Sequence, residues 1–202
     1  MRLGYFGGSF DPPHRGHLAI AAAAQSVFGL EKVLIAPTAS QPLKPNGPTA
    51  SFEDRAAMVR LLCDDAPGIE LSLIEAPRED GAPNYTIDTL TRLRATLQAD
   101  DTIFSIVGAD SFLDLRRWKN PAGLLAAAEW IVVSRPAFLL ERFDELALTP
   151  EERVRVHLLP DMKEPASSTE IRHRLGVGAE CADLIPQNVL SYIKERHLYG
   201  SS

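Results

Sequence analysis

His14 and His17 stand three residues apart in GGSFDPPHRGHL, residues 7–18, directly after RLGYF, a run with the bulk of a buried strand. Where a strand gives way to a helix, that spacing sets one imidazole at the helix entry and the other in its first turn. Both then face the turn and the positive end of the helix, an arrangement that favours a polyanion. Gly7, Gly8 and Ser9 bring the backbone close to a ligand with no Cβ between it and a phosphate. The stretch is not G-x-G-x-x-G and has no lysine where a P-loop needs one, so both common nucleotide motifs are excluded. Metal binding would need a third ligand; Asp11 is the only carboxylate close by, which supports zinc poorly, and no residue is assigned to a metal.

The elements that must position this pair recur along the chain. Strand-length apolar runs lie at 2–6, 32–37, 69–75 (IELSLIE), 102–108, 129–136 and 154–159, with helix-like stretches between most of them. Residues 15–28 are alanine-rich and stop at Gly29, residues 51–66 open with Ser51 and Asp54 at capping-box spacing, and 86–97 repeats its apolar positions at helical period. The alternation predicts an α/β fold: a doubly wound, Rossmann-like parallel sheet, with ligands beyond the carboxyl ends of its strands. Residues 37–51, rich in proline, and PREDGAP (77–83) with the NYT that follows read as loops beside a substrate. Beyond Pro160 the chain reads as a small helical appendage. It carries SSTEIR (167–172), with Ser167 and Glu170 again at capping-box spacing, and a helix starting at Pro186 with a Val189, Tyr192, Ile193 and Arg196 face.

Length and composition bound the rest. With 202 residues, 45% of them hydrophobic, the expectation is one domain over 1–202, its core spanning about 1–160 and its helical part about 161–202. A net charge of -6 argues against a broad grip on nucleic acid or an anionic membrane, so phosphate recognition must be local. LAIAAAA, at 18–24, is too short for a bilayer span. Cys63 and Cys181 lack metal-ligand spacing and no signal h-region opens the sequence, which points to the cytoplasm. Cys63 sits on a helix without a histidine partner and reads as buried rather than nucleophilic.

GGSFDPPHRGHL closely resembles the H-x-G-H signature of the nucleotidyltransferase superfamily, and SSTEIR resembles its second signature, S-S-T-x-I-R. Between them YTIDTL (85–90), IVGADSF (106–112), Trp118 and VVSRP (132–136) resemble the bacterial nicotinate mononucleotide adenylyltransferases, so the likeness covers nearly the whole chain. It implies adenylyl transfer from ATP to nicotinate mononucleotide, giving deamido-NAD and pyrophosphate by direct in-line attack, with Mg2+ carried mainly on the ATP phosphates. His14, His17 and Arg172 would be catalytic. Gly7, Gly8, Ser9, Phe10, Lys44, Gly108, Asp110, Arg135, Ser168 and Thr169 would bind ATP, and Tyr85, Thr86 and Trp118 the mononucleotide. Lys44 matches the lysine of a P-P-H-K loop, but Leu43 replaces the histidine before it. Trp118 is equally natural as a packing residue, Asp110 as a helix cap and Arg135 in a surface pair. Three other readings stay open at this point: a sister enzyme accepting phosphopantetheine or nicotinamide mononucleotide, a nucleotide-sensing module without turnover, and an adapter domain.

Overall fold

The structure is a computed structural model and describes residues 1–39, 47–133, 146–159 and 167–200. Six strands form one sheet: β1 (Arg2–Gly8), β2 (Lys32–Pro37), β3 (Ile69–Leu71), β4 (Thr102–Gly108), β5 (Glu129–Val133) and β6 (Val156–Leu159). Their order is β3-β2-β1-β4-β5-β6 and every pairing is parallel, as the alternating strands and helices predict. Parallel neighbours require crossovers, and these cover both faces, so the strands are buried on both sides and read as continuous apolar runs. The order reverses between β1 and β4, which opens a crevice beyond Gly8 and Gly108.

Period-two alternation along β1 assigns its side chains to two cores. Leu3 and Tyr5 enter one with Val107, Leu124, Trp130 and Leu90, while Phe6 enters the other with Ala21, Ala24, Ile35, Ile106 and Ile131. Helix α1 (Arg15–Phe28) packs on the Phe6 side and ends where predicted, at Gly29 with φ 58°. Helix α2 (Phe52–Cys63) is capped by Ser51, whose Oγ accepts from the Asp54 N–H at 3.0 Å. On the Tyr5 side lie α3 (Thr86–Ala95), the short α4 (Ala109–Leu113) and α5 (Pro121–Ala127); α6 (Pro150–Arg153) precedes β6.

Several expected boundaries move. The strand read over 69–75 pairs only through Leu71, and Leu73–Ala76 turns instead, because the Ala76 N–H bonds the Leu73 carbonyl. The run at 154–159 enters the sheet at Val156, since Val154 still closes α6. The expected helix 186–200 is α8 (Gln187–Glu195) followed by a tight turn at Leu198–Gly200, in which Tyr199 has φ 59°. Helix α7 (Ser168–Gly176) begins at Ser167, whose Oγ accepts from the Glu170 N–H at 3.2 Å. The buried Ile171, Leu175, Val189 and Ile193 of α7 and α8 pack with Met58 and Leu62 of α2, forming a third core. Among the described residues no helix is long and apolar enough to cross a membrane.

Candidate active site

The end of β1 divides the crevice in two. On the α1 side the chain leaves Gly8 and turns through Phe10, a bulky residue held at φ 48°. That left-handed conformation costs on the order of 1–3 kcal/mol and persists only when its surroundings fix it. Here Phe10 is 2% exposed and edge-on to Phe6 at 5.4 Å. Arg55, also buried, donates from Nη1 to the Ser9 carbonyl at 2.7 Å and from Nε to the Ala50 carbonyl at 3.3 Å. The Asp11 carboxylate accepts from the N–H groups of Thr49 and Ala50 and from the Tyr199 hydroxyl at 2.7 Å.

This frame sets the histidines. His14 is the N-cap of α1 and 5% exposed, and His17 lies in the first turn; their rings stack at 3.7 Å, with Phe10 edge-on to His17 at 4.8 Å. The His14 N–H donates to His17 Nδ1 at 3.2 Å, so neutral His17 carries its proton on Nε2. Burial lowers His14 to about 4, and burial together with the adjacent His14 holds His17 well below the usual imidazole range. Among the described residues His14 Nδ1 is a buried polar atom without a hydrogen-bond partner. Helix α7 docks onto the same loop: Ser168 Oγ donates to the Pro12 carbonyl at 2.9 Å and Arg172 Nη1 to the Asp11 carbonyl at 2.6 Å. Arg172 Nη2 lies 3.4 Å from the exposed Thr169 hydroxyl. The two sequence motifs, 156 residues apart at Pro12 and Ser168, are therefore one site.

On the other side of β1 lies a cavity of about 330 Å³, whose lining includes Gly7, Tyr85, Thr86, Gly108, Trp118 and Lys119. Tyr85 is the N-cap of α3 but gives its first turn no side-chain acceptor, so the helix presents backbone N–H groups there. Trp118 is half-buried; it both lines the cavity and leans on the buried Trp130 at 6.2 Å. A Cβ on Gly108 would meet open space, and Asp110 stands exposed in the first turn of α4. Among the described residues no group of three His, Cys, Asp or Glu is placed to hold a metal ion. Lys44, with Leu43, and Arg135 lie outside the described residues.

Residues 5–174 match the cytidylyltransferase-like family. The curated relatives include a "Probable nicotinate-nucleotide adenylyltransferase" of Solibacter usitatus, 38% identical over 99% of this chain and 100% of that one. Another of the same name, from Gloeobacter violaceus, is 40% identical over 98% and 96%. The chain belongs to the nicotinate-nucleotide adenylyltransferase family. Its fold is similar to that of the Plasmodium falciparum nicotinic acid mononucleotide adenylyltransferase complexed with NaAD, with a TM-score of 0.75 at 17% identity over 100% of this chain and 98% of that one.

As a nicotinate-nucleotide adenylyltransferase family member the chain carries both signatures in contact, but several residues of its crevice have no motif to announce them. Arg55 lies on α2 outside every motif of the sequence, yet it is buried against the glycine turn. Glu75, at the end of an apolar run, is buried beneath the cavity. Lys119 stands over the Tyr85 ring at 4.4 Å and pairs with Asp88. A lysine directly after a tryptophan gives no signal of that in the sequence. Cys63 is a free, buried thiol pushed up to about 11 by burial, as expected of a packing cysteine.

Proposed function

We propose that this protein transfers the adenylyl group of ATP to nicotinate mononucleotide, forming deamido-NAD and releasing pyrophosphate. What carries the reading is the division of one crevice by β1: neutral stacked histidines on one face, an aromatic cavity on the other, and the glycines of the strand end between them. A mononucleotide seated by its ring in the cavity presents its phosphate toward Gly7 and Gly8, where a triphosphate on the histidine side can meet it. A phosphate oxygen of the acceptor attacks the α-phosphorus, a new P–O bond forms, and the bond from the α-phosphorus to the bridging oxygen breaks in line. The nucleophile is already an anion, so no side-chain base is needed and the protein's task is positioning and charge stabilisation.

The residues divide accordingly. His17 Nε2–H and the His14 ring meet oxygens of the α- and β-phosphates as charge builds, with the backbone from Gly7 through Phe10 alongside. Arg172 spends one N–H on Asp11, and its guanidinium fork has others to hold the leaving pyrophosphate with Ser168 and Thr169. Asp110 accepts from ribose hydroxyls across the open Gly108. Tyr85 and Thr86 present N–H groups to the nicotinate carboxylate, and Trp118 stacks on the ring. Lys44 and Arg135 keep their assigned places at the phosphates and adenine by resemblance alone. Magnesium enters with ATP as part of the substrate, since Mg2+ is usually held by phosphates and waters with few protein ligands. With ATP and nicotinate mononucleotide as partners and both cysteines free thiols, the reading assigns the reaction to the cytoplasm.

Pyrophosphate release from ATP and Mg2+, measured with nicotinate mononucleotide, nicotinamide mononucleotide and phosphopantetheine in turn, tests this directly. Fast release with the nicotinate compound is expected. Preference for another acceptor would replace the substrate, and silence with all three would reject the enzyme reading.

A further inference from the structure

Beneath the cavity lies a buried polar cluster that neither motif contains. Glu75 is 2% exposed. Its Oε1 accepts from the Tyr5 hydroxyl of β1 at 2.9 Å and from the Thr89 hydroxyl, one turn into α3. The carbonyls of Glu75 and Ala76 both accept from Asn84 Nδ2, at 3.0 and 2.8 Å, and Arg92 closes the ring through Nη2 to Asn84 Oδ1 and Thr89 Oγ1, each at 3.1 Å. Tyr5, Thr89 and Asn84 are themselves buried, and Tyr5, Glu75 and Asn84 line the cavity.

A carboxylate taken out of water is costly unless hydrogen bonds replace its hydration, and an apolar side chain would fill the same space at less cost. What the carboxylate supplies is a fixed distance between elements. It fastens the end of β1, through Tyr5, to the first turns of α3 and to the loop that delivers Tyr85 and Thr86. The Tyr5 hydroxyl also sits directly under the glycine turn, 2.6 Å from where a Cβ of Gly7 would stand. One node thus sets the height of the α3 N-terminus over the strand end where the two substrates meet.

We propose that Glu75 is a positioning residue for the acceptor, acting through Tyr5 and Thr89 to hold the N-terminus of α3 in place while leaving the ATP side untouched. The inference rests on the acceptor occupying the cavity, as in the function proposed above. It predicts a split between the substrates that a purely structural role would not produce. Tyr5→Phe and Thr89→Val each remove one hydrogen bond to Glu75 while keeping bulk. Each should raise KM and the calorimetric Kd for nicotinate mononucleotide about 10-fold, the scale of one buried hydrogen bond, with KM for ATP unchanged within about twofold. Glu75→Gln, which still accepts from both hydroxyls, should recover most of the affinity that Glu75→Ala loses. Equal effects on both substrates, or a lowered melting temperature with unchanged mononucleotide binding, would overturn the proposal. Tyr5→Phe gives the reading even where Glu75→Ala fails to fold. A wild-type protein that takes a different acceptor would overturn the substrate alone, and the same ratio is then read with that acceptor. One that binds none of the three would overturn both.

Discussion

Because burial lowers His14 to about 4 and His17 further below its ordinary range, both imidazoles are neutral at pH 7 in the free protein, and two rings stacked at 3.7 Å could not both carry charge in any case. In the proposed reaction they serve as oriented N–H donors, worth more in a buried site than in water. His17→Ala should therefore lower kcat by about 10²–10³ while circular dichroism stays that of the wild type, and near-normal turnover would remove His17 from the site. Stability carries a second consequence. A folded-state pKa below the unfolded 6.5 means that the unfolded chain binds the proton first as pH falls. The contribution is intact above about pH 6.5 and is lost progressively down to about 4, to the extent of about 3 kcal/mol for His14. Urea titrations at pH 7.5 and 4.5 should show His14→Asn flattening that decline; equal slopes in wild type and variant would show that His14 is not buried neutral. The histidine pair is legible in sequence because it combines with a glycine turn at a strand end. Arg55 and Glu75 are not, since a lone charged residue becomes informative only when the fold buries it.

At the level of elements, the sheet is legible because strands buried on both faces write continuous apolar runs, and α1 to α3 because each carries a helical signal: a stop at Gly29, capping-box spacing from Ser51, and apolar positions at helical period over 86–97. The short α4 and α5 give no such window at five and seven residues, although Asn120-Pro121 marks the start of α5: Asn120 Oδ1 accepts from the Gly123 N–H at 3.1 Å and Pro121 takes the first helical position. Yet these pieces, with the turn between them, carry Trp118 and wall the cavity. The end of β1 offers the sharper test. A Cβ on Gly7 would sit 2.6 Å from the Tyr5 hydroxyl, which Glu75 holds in place, so it cannot simply be pushed aside. Gly7→Ala should cost about 1–3 kcal/mol of stability as an overpacked site and weaken mononucleotide binding, read by thermal unfolding and calorimetry. The Gly7→Ala, Tyr5→Phe double variant should regain part of the stability by removing the clashing oxygen. No recovery would mean that the glycine answers to something other than Tyr5.

For the whole molecule, the question is whether residues beyond 160 are an appendage or part of the fold. Composition and periodicity give the helices there, but their docking depends on contacts that no local pattern encodes. Val189 and Ile193 are fully buried against α2; Asn188 Nδ2 donates to the Leu61 carbonyl at 2.7 Å, and Tyr192 donates to Asp54 at 2.9 Å. At the same time Asp11 gathers Tyr199, Arg172 and the residues leading into α2 around the loop between β1 and α1. The third core and the candidate site therefore lose partners together if the C-terminal part detaches, and we propose that 1–202 unfolds as one unit. Ile193→Ala removes a fully buried side chain at the centre of that third core, at a cost of about 2–5 kcal/mol. For a chain of this size the melting temperature should fall by roughly 5–15 °C. The decisive feature is the shape of the change: tryptophan fluorescence, which reports on Trp130 of β5 and on Trp118 packed against the same core, and far-ultraviolet circular dichroism should shift together in a single transition. An early transition seen by circular dichroism alone, with Trp130 and mononucleotide binding unaffected, would make the C-terminal helices a separate module. Arg172 would then reach the Asp11 carbonyl only when that module docks.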